Sequence, residues 1–421
     1  MAEEDSFAAL DALLEAQFQN TDEDLEADYQ ALDAALKAAS RRFSREIEAV
    51  WGEGQVVLPG KSAWVDYSQN RKLRRRFDFE NGFVRIERTF KGNAELDNAV
   101  NEIQAAVQAV AVDTNADLSG KDTVWQYAKQ DLQQQAITIE HTAGGVESVK
   151  SILDSTQTPL LAELLDMPAS TAVLSALQKA TVPVAPKPDI AFVESPVSGI
   201  SIDEEDLGGE AEMTAAIVET IGDQKKLMVT IPLRQGYLSS AAEIYRPKVI
   251  TEANRQQIPP SLLYAIMETE SHFNPRARSY IPAFGLMQLV PASGGVDAYQ
   301  HLYGEKLVLG PDYFYNPDQN VELGAAYLNL LNTRYLKSIN NDISRSYCVI
   351  AAYNTGPGNV ARAFVDSKSV SNAAREINKL TPEEVFRQLI DRLPYDETRR
   401  YLQKVISAQN KYREMDQLVQ L

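Results

Sequence analysis

The stretch "IMETESHFNP" sets two glutamates, Glu268 and Glu270, at the end of an apolar helical run, just before Asn274-Pro275. Pro259-Pro260 suits a helix start and Asn274-Pro275 a helix stop. At spacings of three, four and seven, Glu270 looks back on Met267, Ile266 and Leu263 and so continues an apolar stripe. Glu268 looks back on Ala265, Tyr264 and Ser261, a more polar strip. Desolvation against a core and the negative end of the helix dipole both disfavour an ionised carboxylate. A carboxylic acid kept protonated near neutral pH is what a general acid needs. Glu270 is therefore the expected acid, with Glu268 in a supporting or solvated role. A buried glutamate bonded to structural partners fits the same helix equally well, so this helix alone does not decide the matter.

Four further stretches add polar groups in a fixed order. "ARSYIPAFGLMQLVP" carries Gly285, Met287 and Gln288 in what reads as a close-packed turn with a ligand-binding amide. "NPDQNVELGAAYLNLL" is a capped helix with a central glycine, a packing element. In "AAYNTGPGNV", Tyr353-Asn354 end a helix before a tight Gly356-Pro357-Gly358 turn, and "LPYDETRRYLQKV" closes the series. Each is weak alone, because tyrosines and Gly-Pro turns are common; their order and spacing together are specific.

Bulk properties narrow the chemistry. The chain has 421 residues, 44% hydrophobic and 24% charged, room for two or three domains of an ordinary globular protein. A net charge of −18 argues against general nucleic-acid binding, which needs a basic face. The single cysteine, Cys348, lies in an apolar helical run and reads as a small buried hydrophobe; no internal disulfide is possible. Three scattered histidines, His141, His272 and His301, make no metal site, and no cofactor is expected. The first residues show no basic n-region, apolar h-region or lipid-attachment cysteine, and no apolar run reaches a membrane span. The expectation is either a protein that is not exported or a chain without its export signal.

The elements that must position these groups fall into three regions. Residues 1–45 form an acidic helical arm, with Phe7, Leu10, Leu14 and Phe18 at helical spacing; the first 50 residues hold 13 Asp/Glu against 4 Lys/Arg. Residues 46–240 read as an α+β accessory domain with its linker. "QVVLPG", "SAWVDYS" and "RRRFDFENGFVRIERTF" are β-rich, and Asn81-Gly82 signals a hairpin. Helices are expected near 94–113, 120–135 and 146–182, a Pro-rich connector at "ATVPVAPKPD", loop at 190–212 and one further strand in "KKLMVTIPL". The basic run Arg71, Lys72, Arg74, Arg75 and Arg76 reads as a solvated strand edge, with binding of anionic groups as the other reading. Residues 241–421 are mainly helical. The expected fold class is α+β, a mainly α-helical catalytic domain behind a smaller mixed domain.

"ESHFNP", "GLMQL", "AYNTGPG" and "ETRRY" together resemble the soluble lytic transglycosylase superfamily, whose fold is goose-lysozyme-like. Within it, "AIMETESHFNPRARSYIPAFGLMQLVP", "SRSYCVIAAYNTGPGNV" and "VWGEGQVVLPGKSAWVDYSQN" look like the membrane-bound lytic murein transglycosylase C group. The likeness is strong over 240–412, fair over 45–240 and weak over the arm. It implies cleavage of the β-1,4 bond between N-acetylmuramic acid and N-acetylglucosamine without water, yielding 1,6-anhydromuramyl ends, with peptidoglycan strands as partner. By position, the resemblance makes Glu270 the acid/base. Ser279 matches a serine near the acid or the muramyl group, Gln288 and Tyr353 line the cleft, and Glu397 and Tyr401 stand at its far wall. Ser271, Met287 and Asn354 play supporting parts, Met287 beneath the cleft floor and Asn354 fixing the backbone.

The resemblance also implies a periplasmic, outer-membrane-associated protein, held to the membrane only through a lipid anchor that this chain does not show, with the accessory domain open to cell-wall machinery or to stem-peptide carboxylates. Val290 replaces a second methionine that family members often carry. Two other functions remain on the same fold: a lysozyme-type hydrolase, for which Asp297 is the nearby water-positioning carboxylate, and a non-catalytic glycan-binding module, which the presence of Glu270 disfavours.

Overall fold

The computed structural model describes residues 23–135, 164–165, 216–221, 224–279 and 282–419. Two compact units emerge, one of residues 35–131 and 145–243, the other of 1–34, 132–144 and 244–421. The expected helical positions Phe7, Leu10, Leu14 and Phe18, the Pro-rich connector, the 190–212 loop and nearly all of 146–182 lie outside the described residues. No helix among the described residues is long and apolar enough to cross a membrane.

The first unit is built on a sheet. After the long helix α1 (Glu23–Trp51) come β1 (Ala63–Tyr67), β2 (Leu73–Asp78), β3 (Phe83–Phe90), the helices α2 (Leu96–Val110), α3 (Asn115–Gly120) and α4 (Thr123–Gln134), then β4 (Ile217–Ile221) and β5 (Gln224–Pro232). The strand order is β1-β2-β3-β5-β4, with every neighbouring pair antiparallel. The expected hairpin is present, closed by four residues rather than two: Asp78 pairs with Phe83 across Phe79–Gly82. Asn81 N–H donates to Asp78 Oδ1 at 2.9 Å, and Gly82 takes φ 70° beneath the Tyr237 ring, where a Cβ would sit 2.8 Å from Cε1.

Two expectations for this unit need correction. "QVVLPG" is extended but not a strand, because the Tyr67 hydroxyl takes the place of a neighbouring strand: it donates to Val57 O at 2.9 Å and lies 3.3 Å from Val57 N. The basic run is not a solvated edge, since β2 lies inside the sheet. Arg74 and Arg75 are buried. Arg74 pairs with Glu87 at 2.7 Å and stacks on Trp51 of α1; Arg75 pairs with both Asp66 and Asp113 at 2.6 Å. Arg71, Lys72 and Arg76 are engaged by Glu46, Glu95 and Asp78. Each cation of the run is thus matched to an acid within the unit, Arg74 and Arg75 in its interior and Arg71, Lys72 and Arg76 at its partly exposed margin, so the run is neither a solvated edge nor an unpaired basic patch. Strand β4 was not expected either; its signal is Gly222-Asp223, a two-residue hairpin dipeptide between "IVETI" and "QKKLMVTIP".

The second unit is helical: α5 (Tyr237–Ile244), which leads into it, α6 (Arg246–Gln256), α7 (Pro260–Ser271), α8 (Val296–Tyr303), α9 (Pro311–Phe314), α10 (Pro317–Leu330), α11 (Asp342–Thr355), α12 (Pro357–Ala361), α13 (Val370–Ile377), α14 (Pro382–Arg392) and α15 (Asp396–Lys411). Helix α7 is its core element. Every residue from Pro260 to Ser271 is buried except Thr269, and α15 lies along it. The helix therefore has no solvent face, and the distinction between an apolar and a polar strip does not rank its glutamates.

The C-terminal segment grips α7 at two points. Asp416 accepts from Ser261 N–H and Ser261 Oγ–H, both at 2.8 Å, so a distant carboxylate caps the helix start. Two turns later, Lys411 Nζ (2.5 Å) and the Tyr412 hydroxyl (2.6 Å) donate to Glu268. The expected stop at Asn274-Pro275 is preceded by a left-handed pair, His272 (φ 51°) and Phe273 (φ 62°). Such backbone costs about 1–2 kcal/mol per non-glycine residue. The Phe273 ring, buried between Tyr245, Tyr264 and Tyr412, provides the compensating packing.

Candidate active site

Glu270 sits one residue before the end of α7 and is buried beside two tyrosines from other helices. Tyr353, near the end of α11, donates its hydroxyl to Met287 O at 2.8 Å. Its pKa is raised well above the usual value by burial and then by the Glu270 charge. Tyr401, on α15, is raised for the same two reasons. The Tyr401 hydroxyl lies close enough to the Glu270 carboxyl to be influenced by its charge and its hydrogen-bonding capacity, without a well-formed hydrogen bond to any described residue.

The third wall is the loop 284–289, held by a dense set of bonds. Gly285 N–H donates to Ala277 O at 2.9 Å, and Gln288 N–H to Gly285 O at 3.2 Å. Ser271, the residue after the acid, keeps its hydroxyl within 2.8 Å of Leu286 O and 3.0 Å of Met267 O, which joins the helix end to the loop. Asn320 of α10, fully buried, accepts from Met287 N–H (2.8 Å) and donates to Phe284 O (2.9 Å). Gly285 takes φ 76°, and a Cβ there would lie 2.2 Å from Phe314 O and 2.3 Å from Asn320 Nδ2. Only glycine fits. Sequence reasoning treated "NPDQNVELG" as packing alone and missed Asn320, a polar residue in the first turn of α10 four positions before the central glycine.

Gln288 adopts φ 48°, gives one amide N–H to Gly285 O at 3.1 Å, and leaves its buried Oε1 with no partner among the described residues. Met287 is fully buried, its sulfur set where a Cβ on Gly324 would come within 2.2 Å, so the central glycine of α10 is where the loop rests. Asn354, expected to fix backbone, instead bonds a side chain among the described residues: its Oδ1 accepts from Thr398 Oγ1 at 2.7 Å and ties α11 to α15. The anticipated tight turn is instead a break between helices at Gly356, with Pro357 opening α12.

Ser279 is half-buried and closes a turn with Ala283: its N–H donates to Ala283 O and its Oγ accepts from Ala283 N–H, both at 3.1 Å. Glu397 is exposed, one helical turn before Tyr401. Glu268 is neither solvated nor near the tyrosine pair; it belongs to Lys411 and Tyr412. Asp297, on α8, accepts from the Tyr335 hydroxyl at 3.3 Å, and burial pushes its pKa up to about 6. No group of three or more His, Cys, Asp or Glu among the described residues is placed to hold a metal.

The structure thus sets the buried Glu270 carboxyl within reach of two tyrosines that feel its charge, and leaves the Tyr401 hydroxyl and Gln288 Oε1 buried and unsatisfied among the described residues. Residues 248–375 match the Transglycosylase SLT domain, and residues 27–117 match the N-terminal domain of membrane-bound lytic murein transglycosylase C. The chain is 31% identical to membrane-bound lytic murein transglycosylase C of Pectobacterium atrosepticum over 373 residues, 88% of each chain. It belongs to the lytic murein transglycosylase C family. The Salmonella typhimurium relative is likewise 31% identical over 88% of both chains, and the Histophilus somni relative reaches 41% over 44% of this chain and 50% of its own. Among solved structures, the 70 kDa soluble lytic transglycosylase of Escherichia coli superposes loosely, with TM-score 0.33 and 15% identity over 76% of this chain and 44% of that one. The chain is thus a peptidoglycan-cleaving lytic transglycosylase, helix-rich with a small antiparallel sheet in its N-terminal part.

Proposed function

We propose that Glu270 is the sole acid/base of this lytic transglycosylase. In this reading Glu270 protonates the oxygen of the β-1,4 bond between N-acetylmuramic acid and N-acetylglucosamine. That bond breaks, and the carboxylate then takes the proton of the muramyl 6-hydroxyl as its oxygen attacks the anomeric carbon. A 1,6-anhydro ring forms, no water is consumed, and Glu270 ends protonated as it began. Ordinary glycosidases need a second carboxylate as nucleophile or water-activating base; an intramolecular hydroxyl removes that need. The observation that carries the reading is the fate of the other carboxylates. Glu268 is bonded to Lys411 and Tyr412, and Asp297 is bonded to Tyr335, whereas Glu270 is the carboxylate whose charge acts on both Tyr353 and Tyr401.

The Tyr401 hydroxyl and Gln288 Oε1, buried without partners among the described residues, act as donor and acceptor for the sugar, since such atoms are costly unless a ligand satisfies them. Tyr353 fixes the 284–289 loop, Ser279 stands at the cleft edge near the muramyl group, and exposed Glu397 meets the strand farther out. Ser271, Met287 and Asn354 hold the walls. The relatives are named membrane-bound, and we place this enzyme in the cell envelope, at the periplasmic face of the outer membrane, anchored by lipid and with its sheet unit available to cell-wall machinery. Digestion of purified sacculi tests the reaction: fragments one water lighter, ending in anhydromuramic acid, are expected, and reducing ends would show a lysozyme-type hydrolase instead.

A further inference from the structure

A second polar hollow, of about 370 Å³, opens on the catalytic unit between α8, the end of α10 and the turn that follows it. Asp297, Gln300, His301, Arg334 and Tyr335 line it. The reaction uses none of them. Asp297 is half-buried, and a carboxylate has about four acceptor positions, yet its one hydrogen bond among the described residues is the 3.3 Å contact from Tyr335, at the long end of the range. Arg334 and Lys306 act on it only through space. Burial outweighs them and raises its pKa to about 6, so the group is charged at neutral pH while poorly solvated. A charge held this way lowers stability, and such sites persist where a ligand completes them.

The missing partner of a half-desolvated carboxylate is a cation rich in N–H donors. On the exposed rim of the same hollow, Arg334 and His301 offer donors suited to a carboxylate. We propose that this hollow binds the zwitterionic end of an amino acid, with its ammonium on Asp297 and its carboxylate on Arg334. Resting on the peptidoglycan reading above, the ligand is the free zwitterionic end of a diamino acid in a stem peptide of the wall. The hollow and the acid share one neighbour: the charge of Asp297 reaches Tyr327, whose ring packs 5.5 Å from that of Tyr353. A peptide-bearing strand is thereby held both at its sugar and at its stem.

The test is a calorimetric titration of the full chain at pH 7.5 with 2,6-diaminopimelate, its N,N′-diacetyl derivative and 1,7-diaminoheptane. Saturable binding of the first is expected, at least about tenfold weaker after diacetylation or in Asp297→Asn. Arg334→Ala, at an exposed position, weakens 2,6-diaminopimelate but not 1,7-diaminoheptane. No saturation below about 10 mM, or equal binding by wild type and Asp297→Asn, overturns the proposal. A disaccharide tripeptide that ends in the free diamino acid, titrated into Glu270→Gln enzyme, should bind more tightly than the free amino acid. Equal affinity would sink the stem-peptide assignment. Because these are binding measurements without turnover, a hydrolytic product from sacculi would overturn the proposed reaction and leave this site standing.

Discussion

At the scale of single residues, two glutamates on one buried helix are separated by their partners. Glu270→Gln should reduce anhydromuropeptide release by at least about 10²-fold, with the folded state intact by circular dichroism. Glu268→Gln should retain most activity and cost about 1 kcal/mol, because Lys411 is largely exposed and the Tyr412 bond survives in weaker form. If the Glu268 variant proved inactive and the Glu270 variant active, the assignment would be reversed. Tyr401→Phe offers a finer test. Its hydroxyl makes no hydrogen bond among the described residues, so its removal should be neutral or stabilising by up to about 1 kcal/mol. Turnover should nonetheless fall about tenfold. A purely structural tyrosine would show the opposite pattern. The motif order singled out Glu270, Gln288, Tyr353 and Tyr401, which the fold brings together only through elements distant in sequence. Helical spacing was not a sound guide, because it assumes a solvent face that α7 does not have.

At the scale of elements, the site depends on a loop that two helices hold from behind. Gly285→Ala forces a Cβ into Phe314 O and Asn320 while requiring φ 76°. A loss of about 2–4 kcal/mol is expected, read as a lower thermal midpoint, together with loss of activity as Met287 O and Gln288 move. Asn320→Leu should act in the same direction by leaving Met287 N–H and Phe284 O unbonded in the interior. Glycines at 285 and 324 were visible in the sequence, but the element that each meets was not, since Asn320 lies 35 residues from Gly285. The same limit explains the basic run in β2. A strand of arginines reads as an edge until the acids on β1, β3 and the segment after α2 are brought beside it. The Asn81-Gly82 hairpin was legible because it is local.

At the scale of the whole molecule, the two units carry opposite electrostatic liabilities, and stability should depend on pH in opposite senses. In the sheet unit, burial tends to raise the pKa of Glu87, but Arg74 and Lys226 outweigh it and hold the carboxyl below its ordinary range. The native state then binds fewer protons than the unfolded chain, so this contribution is complete above the ordinary glutamate range and is lost as pH falls through the native value. In the catalytic unit Asp297 is displaced the other way, up to about 6. Between its ordinary value near 4 and its native value, the native state binds the extra proton, so stability falls as pH rises across that window and then levels off. The cost at neutral pH is bounded by about 3 kcal/mol and is smaller in practice because the hollow is open to water. Calorimetry from pH 7.5 down to about pH 2 should therefore show the destabilising effect of Glu87→Gln shrinking only below the ordinary glutamate range. Asp297→Asn should stabilise the protein at pH 7.5 and make no difference at pH 4. An Asp297→Asn variant destabilised at pH 7.5 would mean that the carboxylate is structurally satisfied. Its hollow would then have no call for an ammonium ligand.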